Sequence, residues 1–365
     1  MKIFIGSIEV AGLIHDLGKE FKRQGHEVTT IADDVNSRFY NYSYDINPYN
    51  TLTGFLKTHS NWPKITKITY QLLGLCFSNW QEKFRVSLIK KMLRDADLFI
   101  FIWSSAFWDE ENLLKYLKSK NIPIVTMFLG SEIRDYEEFS KKYNITRWKF
   151  PLKYFKTSAL DKINKLRLHE KYSTQIYSVP DQSLHALRSY RHLQLPFEIR
   201  KFHFNIPKRD KPVVIHCPSR PYIKGSDVIE ETIERLRMEG LNFEFESITN
   251  IPHEELLLKL ANADVLVDEI VLHGPGLLGF EGMFSGCAVA TKHLAESSSS
   301  FQPPVYAIDD SNIYERLKIL LVDKQLRIKL ANEGREYALR NNDIKTVTKN
   351  LLLNINSNDT DYQFN

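Results

Sequence analysis

Two basic residues four positions apart, Arg220 and Lys224, follow an apolar segment that predicts a β-strand over 213–217. A helical pattern begins soon after them. Ligands of open α/β sheets bind outside the carboxyl ends of the strands, so cations placed there suit a phosphate-bearing ligand. They would stabilise a diphosphate leaving group most as its negative charge develops. Because exposed Arg and Lys are common on any protein, the pair needs a second motif to support it.

The second motif is the loop HGPGLLGFE at 273–281, which opens a predicted helix. Its first two glycines let the backbone approach a ligand closely. The amides near Gly276, Leu277 and Leu278 lie at a helix start, where unpaired donors and the helix dipole favour phosphate. Glu281, one turn inside the helix, can accept hydrogen bonds from both hydroxyls of a ribose. Together the two motifs favour a site for a diphosphate joined to a ribose over a simple turn before a core helix.

The elements that would position these residues form a β/α series that begins at Val213. Its predicted strands are 213–217, 243–248, 265–270, 288–291 and 305–308, and its predicted helices are 228–239, 253–261, 277–284, 313–321 and 324–340. The first half alternates in the same way, with predicted strands at 2–6, 28–32, 97–103, 122–129 and 175–179, and predicted helices at 13–23 and 110–120. Strands separated by helices predict βαβ units and parallel sheets. The proline-bearing, basic segment 196–212 is predicted to connect the two halves.

Composition is that of an ordinary globular protein, with 43% hydrophobic and 26% charged residues. A chain of 365 residues is long enough for two domains that each bury a core. No run of 18 apolar residues is present, and the short apolar start fits a first strand better than a signal peptide. Three widely spaced cysteines show neither metal spacing nor an even disulfide set, which indicates a reducing cytoplasm.

The net charge of +4 hides an asymmetry between the halves. Residues 211–365 hold 16 Lys and Arg against 23 Asp and Glu, a net of −7, and the remaining 33 and 22 give residues 1–210 a net of +11. Much of the excess lies in 61–94 and 141–171, where basic residues alternate with aromatic ones. This pattern fits an anionic membrane surface, and equally a solvated basic face whose aromatic residues are turned into a core.

Residues 211–340 resemble the C-terminal domain of retaining GT-B glycosyltransferases of the large family 4 type. The Arg…Lys-Gly motif of that family is matched by Arg220, Lys224 and Gly225. The family's Glu-x7-Glu motif, which leads into E-A-M-A-x-G, is matched in its second half by EGMFSG at 281–286, and GREYALRNND at 334–343 resembles the family's closing helix. The resemblance implies a GT-B fold, α/β with two Rossmann-like β/α/β domains facing a central cleft.

The sequence departs from the family pattern at two positions. His273 stands where the family has the first glutamate, which addresses the donor sugar; a role for His273 as a ligand and a purely structural role are equally open. Leu129 stands where the family has a histidine in the N-terminal domain, before a Gly-x-Asp/Glu turn.

Three residues of the N-terminal half are nevertheless candidates for the acceptor or phosphate loop. Glu132 and Arg134 follow the strand at 122–129 closely enough to face a cleft. Gly12 belongs to the only counterpart of the family's N-terminal glycine loop, although a plain strand-to-helix turn explains it almost as well.

These observations predict an acceptor-binding domain at 1–205, a nucleotide-sugar-binding domain at 206–345, and a helix end and tail at 346–365. The resemblance implies transfer of a sugar from a nucleotide-sugar donor, UDP- or GDP-linked, to a hydroxyl of a glycan, glycolipid or lipid-linked acceptor, with retention. No Asp-x-Asp motif stands between the strands, so we expect no metal and no cofactor besides the donor substrate. The alternatives are a non-catalytic sugar-nucleotide-binding protein and a nucleotide-sugar epimerase.

The expected partners are a nucleotide sugar, a glycan or lipid-linked acceptor and an anionic membrane surface, without nucleic acid. The corresponding location is the cytoplasm, with peripheral attachment to the inner face of the membrane.

Overall fold

The computed structural model describes residues 1–32, 42–46, 86–87, 89–103, 105, 109–145, 150, 157–179, 182–293 and 302–355. Contacts divide the chain into two compact units. The first comprises Met1–Ile133, Ala159–Leu193 and Leu353–Asn365, and the second comprises Arg134–Ser158 and Gln194–Leu352.

The first unit is built on a parallel sheet. Its strands within the described residues are β1 (Lys2–Ser7), β2 (Glu27–Ile31), β3 (Leu98–Ile102), β4 (Ile124–Met127), β5 (Gln175–Ser178) and β6 (Arg191–His192), in the order β2-β1-β3-β4-β5-β6. Helices in the described part of this unit include α1 (Leu13–Arg23), α2 (Glu110–Ser119) and α4 (Ala159–Tyr172). Every residue of β3, Leu-Phe-Ile-Phe-Ile, is buried, as expected for a parallel strand covered on both faces.

The second unit repeats this plan. Its strands are β7 (Val213–His216), β8 (Glu244–Ser247), β9 (Val265–Val267), β10 (Ala288–Thr291) and β11 (Tyr306–Ala307), all parallel, in the order β11-β10-β9-β7-β8. Its helices are α3 (Tyr136–Lys142), α5 (Pro221–Lys224), α6 (Ser226–Met238), α7 (His253–Ala261), α8 (Leu277–Ser285), α9 (Ile313–Val322), α10 (Lys324–Asn341) and most of α11 (Ile344–Asn354), with a short 3₁₀ turn at Ile199–Lys201.

In both sheets, an aspartate just before the third strand accepts a hydrogen bond from the amide at the start of the first strand; we call this contact the aspartate clamp. In the first unit the carboxylate of Asp97, just before β3, accepts a hydrogen bond from the amide of Lys2 at 2.7 Å. In the second unit Asp264, just before β9, accepts one from the amide of Val213 at 2.8 Å. Each clamp fixes the register of a central strand pair whose members are not consecutive in the chain.

Both strand orders contain a switch point, which is a pair of neighbouring strands from which the chain continues towards opposite edges of the sheet. In the second unit it lies between β7 and β9, because β8 follows β7 on one side while β9 and β10 continue on the other. Ligands of such sheets bind in the crevice at the carboxyl ends of these two strands. The loops after β7 and β9 carry the residues singled out from the sequence.

The core of the second unit includes the start of the segment predicted as a connection. Phe197 and Phe202 are buried there, with ring centroids 5.3 and 4.9 Å from that of Phe284 on α8. The amide of Phe197 also donates to the carbonyl of Asn342 at 2.8 Å. Residues 196–202 therefore pack as part of the second unit.

The predicted strands and helices are present, with most boundaries within one or two residues, but the prediction for β9 was wrong at its end. The strand stops at Val267 rather than Ile270. The amide of Asp268 still reaches the carbonyl of Ala290 at 2.9 Å, after which the chain turns towards Lys224. The apolar run through Ile270, Val271 and Leu272 is buried in the following loop instead of in the ladder. None of the described helices is long and apolar enough to cross a membrane.

Candidate functional site

Lys224 is placed at the switch point by a four-residue helix that begins with proline. Pro221 at the start of α5 needs no hydrogen-bonded amide and has a fixed φ suited to the first turn. Gly225 ends the helix at φ 74°, in the left-handed region, so that α6 can begin at Ser226. The carbonyl of Lys224 accepts the amide of Ile270 at 3.2 Å, which ties this turn to the loop after β9.

The side chain of Lys224 ends between two carboxylates. Its Nζ lies 2.6 Å from Asp268 Oδ1 and 3.4 Å from Glu269 Oε2. Asp268 is fully buried, and the Lys224 side chain is only 15% exposed. Burial alone would lower the pKa of Lys224, but the two carboxylates outweigh it and hold the pKa above its usual value. Lys224 is therefore charged at every physiological pH.

Glu269 is in a different electrostatic position. Burial raises the pKa of this carboxyl to about 7, with Asp268 adding to the shift and Lys224 and Arg134 opposing it. Arg134, itself buried, thus lies near enough to Glu269 for its charge to be felt. Both belong to the second unit.

Asp268 also faces the start of α8. Its Oδ2 makes no hydrogen bond to any described residue, and a Cβ placed on Gly279, in the first turn of α8, would lie 3.1 Å from this oxygen. The positive end of the helix dipole stabilises an anion at this place.

The glycine loop before α8 is held against β10. The amide of Gly274 donates to the carbonyl of Lys292 at 2.8 Å, and a Cβ on Gly274 would lie 2.3 Å from Thr291 Oγ1, so no larger residue fits. Gly276 stands at the N-cap of α8 and supplies no side-chain cap. The amides of Leu277 and Leu278, in the first turn, have no acceptor within the helix.

Glu281, one turn into α8, is oriented by a histidine from α7. His253 Nε2 and Glu281 Oε1 are 2.7 Å apart, and both side chains are largely buried, at 18% and 9% exposure. A carboxylate fixed in this way keeps its second oxygen for another donor. Cys217, which follows β7, is close enough to Asp268 and Glu281 for their charges to act on it after burial, and its pKa is raised to about 12.

His273, at the position of the departure from the family pattern, stacks on a second histidine. Its ring centroid lies 5.0 Å from that of His293, with an interplanar angle of 24°. His293 is held in turn by contacts of Nδ1 with Gly274 O and of Nε2 with Gln302 Oε1, both at 3.2 Å. The two stacked rings lie beside the glycine loop.

Beneath the site, His216 joins the two switch-point strands. Its Nδ1 lies 2.8 Å from the carbonyl of Val267, which can only accept, so Nδ1 carries the proton. Its Nε2 therefore accepts the hydroxyl of Ser226 at 2.7 Å. Burial lowers the pKa of His216, which keeps its side chain neutral.

In the first unit, the helix start that carries Gly12 is already capped. Glu9 accepts hydrogen bonds from the amides of Ile14 and His15 at 3.3 and 3.2 Å, and the hydroxyl of Tyr44 donates to it at 2.8 Å. Gly12 precedes α1 at φ 84°, and a Cβ on it would lie 2.9 Å from the ring of Tyr42. The start of α1 is thus hydrogen-bonded to the Glu9 carboxylate, whereas at the start of α8 the Oδ2 atom of Asp268 lies nearby without a hydrogen bond to any described residue.

The other two acceptor-loop candidates, Glu132 and Arg134, contact different residues. Glu132 folds back so that its Oε1 accepts the amide of Leu129. Arg134 lies near Glu269, and its guanidinium carbon is 5.9 Å from the centroid of the Tyr136 ring. Asp135, the next residue, caps α3 through the amides of Glu137 and Glu138.

The structure therefore places Lys224 against Asp268, which lies beside the first turn of α8, the helix that begins after Gly276 and carries Leu277, Leu278 and Glu281. Arg220 is exposed one turn before Lys224. The sequence predictions missed Asp268, Glu269 and His253. Two consecutive acidic residues directly after a buried strand were the available signal for the first pair. Within the described ranges, no group of His, Cys, Asp and Glu is arranged to hold a metal ion.

Comparison with known proteins identifies the fold. No protein-family model and no curated protein sequence matches the chain. Solved structures do. Sucrose-phosphate synthase of Thermosynechococcus elongatus superposes with a TM-score of 0.58 at 13% identity, over 96% of this chain and 97% of its own.

Two further structures agree. WaaG, a glycosyltransferase involved in lipopolysaccharide biosynthesis, gives a TM-score of 0.56 at 15% identity, over 98% of this chain and all of its own. MnaA of S. aureus, solved with UDP, gives 0.51 at 12% identity, over 99% and 100%. The chain has the GT-B fold, an α/β architecture with two parallel sheets that are each flanked by helices.

Proposed function

We propose that this protein is a glycosyltransferase that moves a sugar from a nucleoside-diphosphate sugar to a hydroxyl group. The observation that carries the proposal is the switch point between β7 and β9, where Lys224 contacts Asp268 and Asp268 lies beside the first turn of α8. Glu281, in the same helix, is fixed by His253, and Gly276 supplies no side-chain cap to the helix. A cation, a helix start and a fixed carboxylate match a diphosphate and a ribose. The GT-B fold shared with glycosyltransferases supports the same assignment.

Each residue has a distinct role in this proposal. Arg220 and Lys224 neutralise the departing diphosphate, and this preorganised charge is the main contribution to catalysis. The amides near Gly276, Leu277 and Leu278 bind phosphate, and Glu281 holds the ribose. His273, in its stack with His293, contacts the donor sugar, and Gly225 allows the turn that aims Lys224.

The finer features of the proposal rest on the sequence resemblance. Transfer occurs with retention, to a glycan, glycolipid or lipid-linked acceptor. Gly12 and Glu132, in the first unit, hold the acceptor, and Arg134, in the second unit near Glu269, binds phosphate. The donor nucleotide is UDP or GDP, and UDP is the nucleotide present in the MnaA structure. Two cations take the place of a metal ion, so turnover is expected to be unchanged by EDTA.

The test begins with binding, measured by calorimetry with UDP, GDP, ADP and their sugars. One nucleotide should bind, and Arg220→Ala should weaken its binding by about 1.5–3 kcal/mol, the contribution of a charge-assisted hydrogen bond. Arg220 is exposed, so the variant should fold. Arg237→Ala, which removes an exposed arginine on the outer face of α6, is the matched control and should bind as wild type.

Lys224→Ala should reduce both affinity and the free energy of unfolding, because Asp268 and Glu269 then remain buried without their cation, a defect of about 3–5 kcal/mol. Release of the nucleotide diphosphate from the sugar donor in the presence of an acceptor tests the reaction itself. Unchanged affinity in folded Arg220→Ala and Lys224→Ala would refute the site. Binding without turnover on any acceptor would favour the non-catalytic alternative.

A further inference from the structure

The ammonium group of Lys224 already has two anionic neighbours before any ligand binds. Asp268 Oδ1 and Glu269 Oε2 lie 2.6 and 3.4 Å from its Nζ. If a diphosphate binds at the same ammonium, as the proposed function requires, three anions meet one cation in a largely buried place. Like charges at such distances repel strongly where water is excluded.

The charges that face Glu269 come from three parts of the second unit. They are Lys224 at the end of α5, Asp268 beside it after β9, and Arg134 before α3. In their ionised forms these three and Glu269 sum to zero. A nucleoside diphosphate adds at least two negative charges, and the exposed Arg220 adds one positive charge, so the sum becomes −1 or lower and favours neutralising one of the carboxyl groups.

Geometry distinguishes the two carboxyl groups. Asp268 is the closer to Lys224, and its other oxygen lies against the first turn of α8, where the helix dipole stabilises the charge. Glu269 is farther from the ammonium, and a Cβ on Gly276 would lie 3.5 Å from its Oε1. Glu269 is thus the carboxyl that borders the predicted phosphate position.

We propose that Glu269 contacts the bound diphosphate as a neutral carboxylic acid, taking one proton from solvent on binding and donating it in a hydrogen bond to a phosphate oxygen. Asp268 stays ionised and holds Lys224. This inference rests on the proposed function and adds to it a binding residue and a proton. Since the pKa of Glu269 is about 7 before binding, uptake of the proton is inexpensive at neutral pH.

The experiment is calorimetric titration with UDP, and with GDP and ADP in parallel, between pH 7 and 9. A terminal phosphate titrates near pH 6, below this range. Wild-type affinity should fall with rising pH, approaching tenfold per pH unit, because the free enzyme must regain a proton. In Glu269→Gln the amide donates at every pH, so affinity should change little and should exceed that of wild type at pH 9 by about tenfold or more.

Glu244→Gln is the matched control, because Glu244 pairs with Lys211 at 2.9 Å on the surface of the same sheet. It should keep the wild-type pH dependence. Titration of the wild type at pH 8 in Tris and in HEPES, whose ionisation enthalpies differ, should show close to one proton taken up, and this result does not depend on any variant folding.

Nucleotide binding with no proton uptake, or with the same pH slope in Glu269→Gln as in wild type, would overturn the role of Glu269 and leave the proposed function intact. Absence of binding by wild type at every pH would overturn the proposed function and this inference with it.

Discussion

At the scale of single residues, the contact between His253 and Glu281 makes a specific prediction about the ribose. The histidine fixes one carboxylate oxygen at 2.7 Å, and the other is proposed to accept the ribose hydroxyls. Glu281→Ala should therefore weaken UDP by about 1.5–3 kcal/mol and bind UDP and 2′-deoxy-UDP equally, whereas wild type should prefer UDP.

Calorimetry with the two nucleotides measures the effect. His253→Ala, which keeps the carboxylate but removes its support, should retain part of the preference. If Glu281→Ala still discriminates between the nucleotides as well as wild type does, the carboxylate does not hold the ribose.

The residues of this site differ in how readily they can be predicted from the sequence. Lys224 and Glu281 stand at short, fixed distances from a strand end and a helix start, so local spacing was enough to find them. Arg134 lies 135 positions from Glu269 and approaches it only through tertiary folding. Asp268 and Glu269 were missed because the segment 265–270 was predicted as one strand, although the chain leaves the ladder after Val267.

At the scale of elements, the end of α8 depends on a glycine for two separate reasons. Gly286 has φ 96°, and a Cβ there would lie 2.1 Å from the carbonyl oxygen of Asn205. Gly240 has a similar φ of 83°, but a Cβ on it would meet nothing within 4 Å. Both Ala substitutions carry the strain of the left-handed region, about 1–2 kcal/mol, so the difference between them isolates the clash.

We expect Gly286→Ala to destabilise the protein by at least about 2 kcal/mol more than Gly240→Ala, as measured by urea unfolding. The clash involves backbone atoms, which cannot move aside as a flexible side chain can. Equal losses in the two variants would mean that the segment around Asn205 shifts freely.

Two buried histidines predict how stability depends on pH. His216 links β7, β9 and α6, and fully buried His169 on α4 lies 2.9 Å from Thr126 Oγ1 and 2.8 Å from Glu110 Oε1. Burial lowers both pKa values, so below about pH 6.5 the unfolded chain binds protons that the folded chain does not. Each histidine should then lower the free energy of unfolding as the pH decreases, by up to about 1.4 kcal/mol per unit, while Glu269 with its raised pKa opposes part of this slope.

Urea unfolding at intervals from pH 7.5 to 5.5 measures this slope. His216→Gln and His169→Gln should each flatten it, while His203→Gln, at an exposed position, should not. Glu269 acts in the opposite direction over this range but is present in every variant, so equal slopes in wild type, His216→Gln and His169→Gln would show that neither histidine is held neutral by the fold.

Most elements could be predicted because their patterns are complete in themselves. Leu13, Ile14, Leu17 and Phe21 bury one face of α1, and Gly25 at φ 85° follows its end. The sequence predictions missed α3 and α4. The first is short and depends on the Asp135 cap, and the second buries Lys162 and His169, so its buried face is not an apolar stripe.

At the scale of the whole molecule, the uneven charge predicts attachment to an anionic surface. Residues 1–210 carry a net +11 against −7 for 211–365. Of the aromatic residues that accompany much of this charge, Trp62, Trp80 and Trp148 lie outside the described residues. Each basic residue near an anionic leaflet contributes about 1 kcal/mol, so a few are sufficient for reversible binding.

Co-sedimentation with vesicles tests this prediction. The protein should partition to vesicles containing phosphatidylserine at low salt, less at high salt, and little to neutral vesicles, because exposed charges are screened within a Debye length. Equal partitioning to both kinds of vesicle, or to neither, would leave the basic residues as a solvated face and favour an acceptor free in solution.

The two aspartate clamps also show how little the length of a loop affects the free energy of closing it. Asp264 closes a stretch of 51 positions and Asp97 one of 95, yet the entropy lost on closing a loop grows only with the logarithm of its length. The longer closure is less favourable by only about 0.5 kcal/mol. The first unit can therefore carry, between β2 and β3, an insertion of almost any length at little thermodynamic cost. What the longer separation affects is speed, because a pairing between distant segments forms slowly, and the sheet closed by Asp264 should be the first to form during refolding.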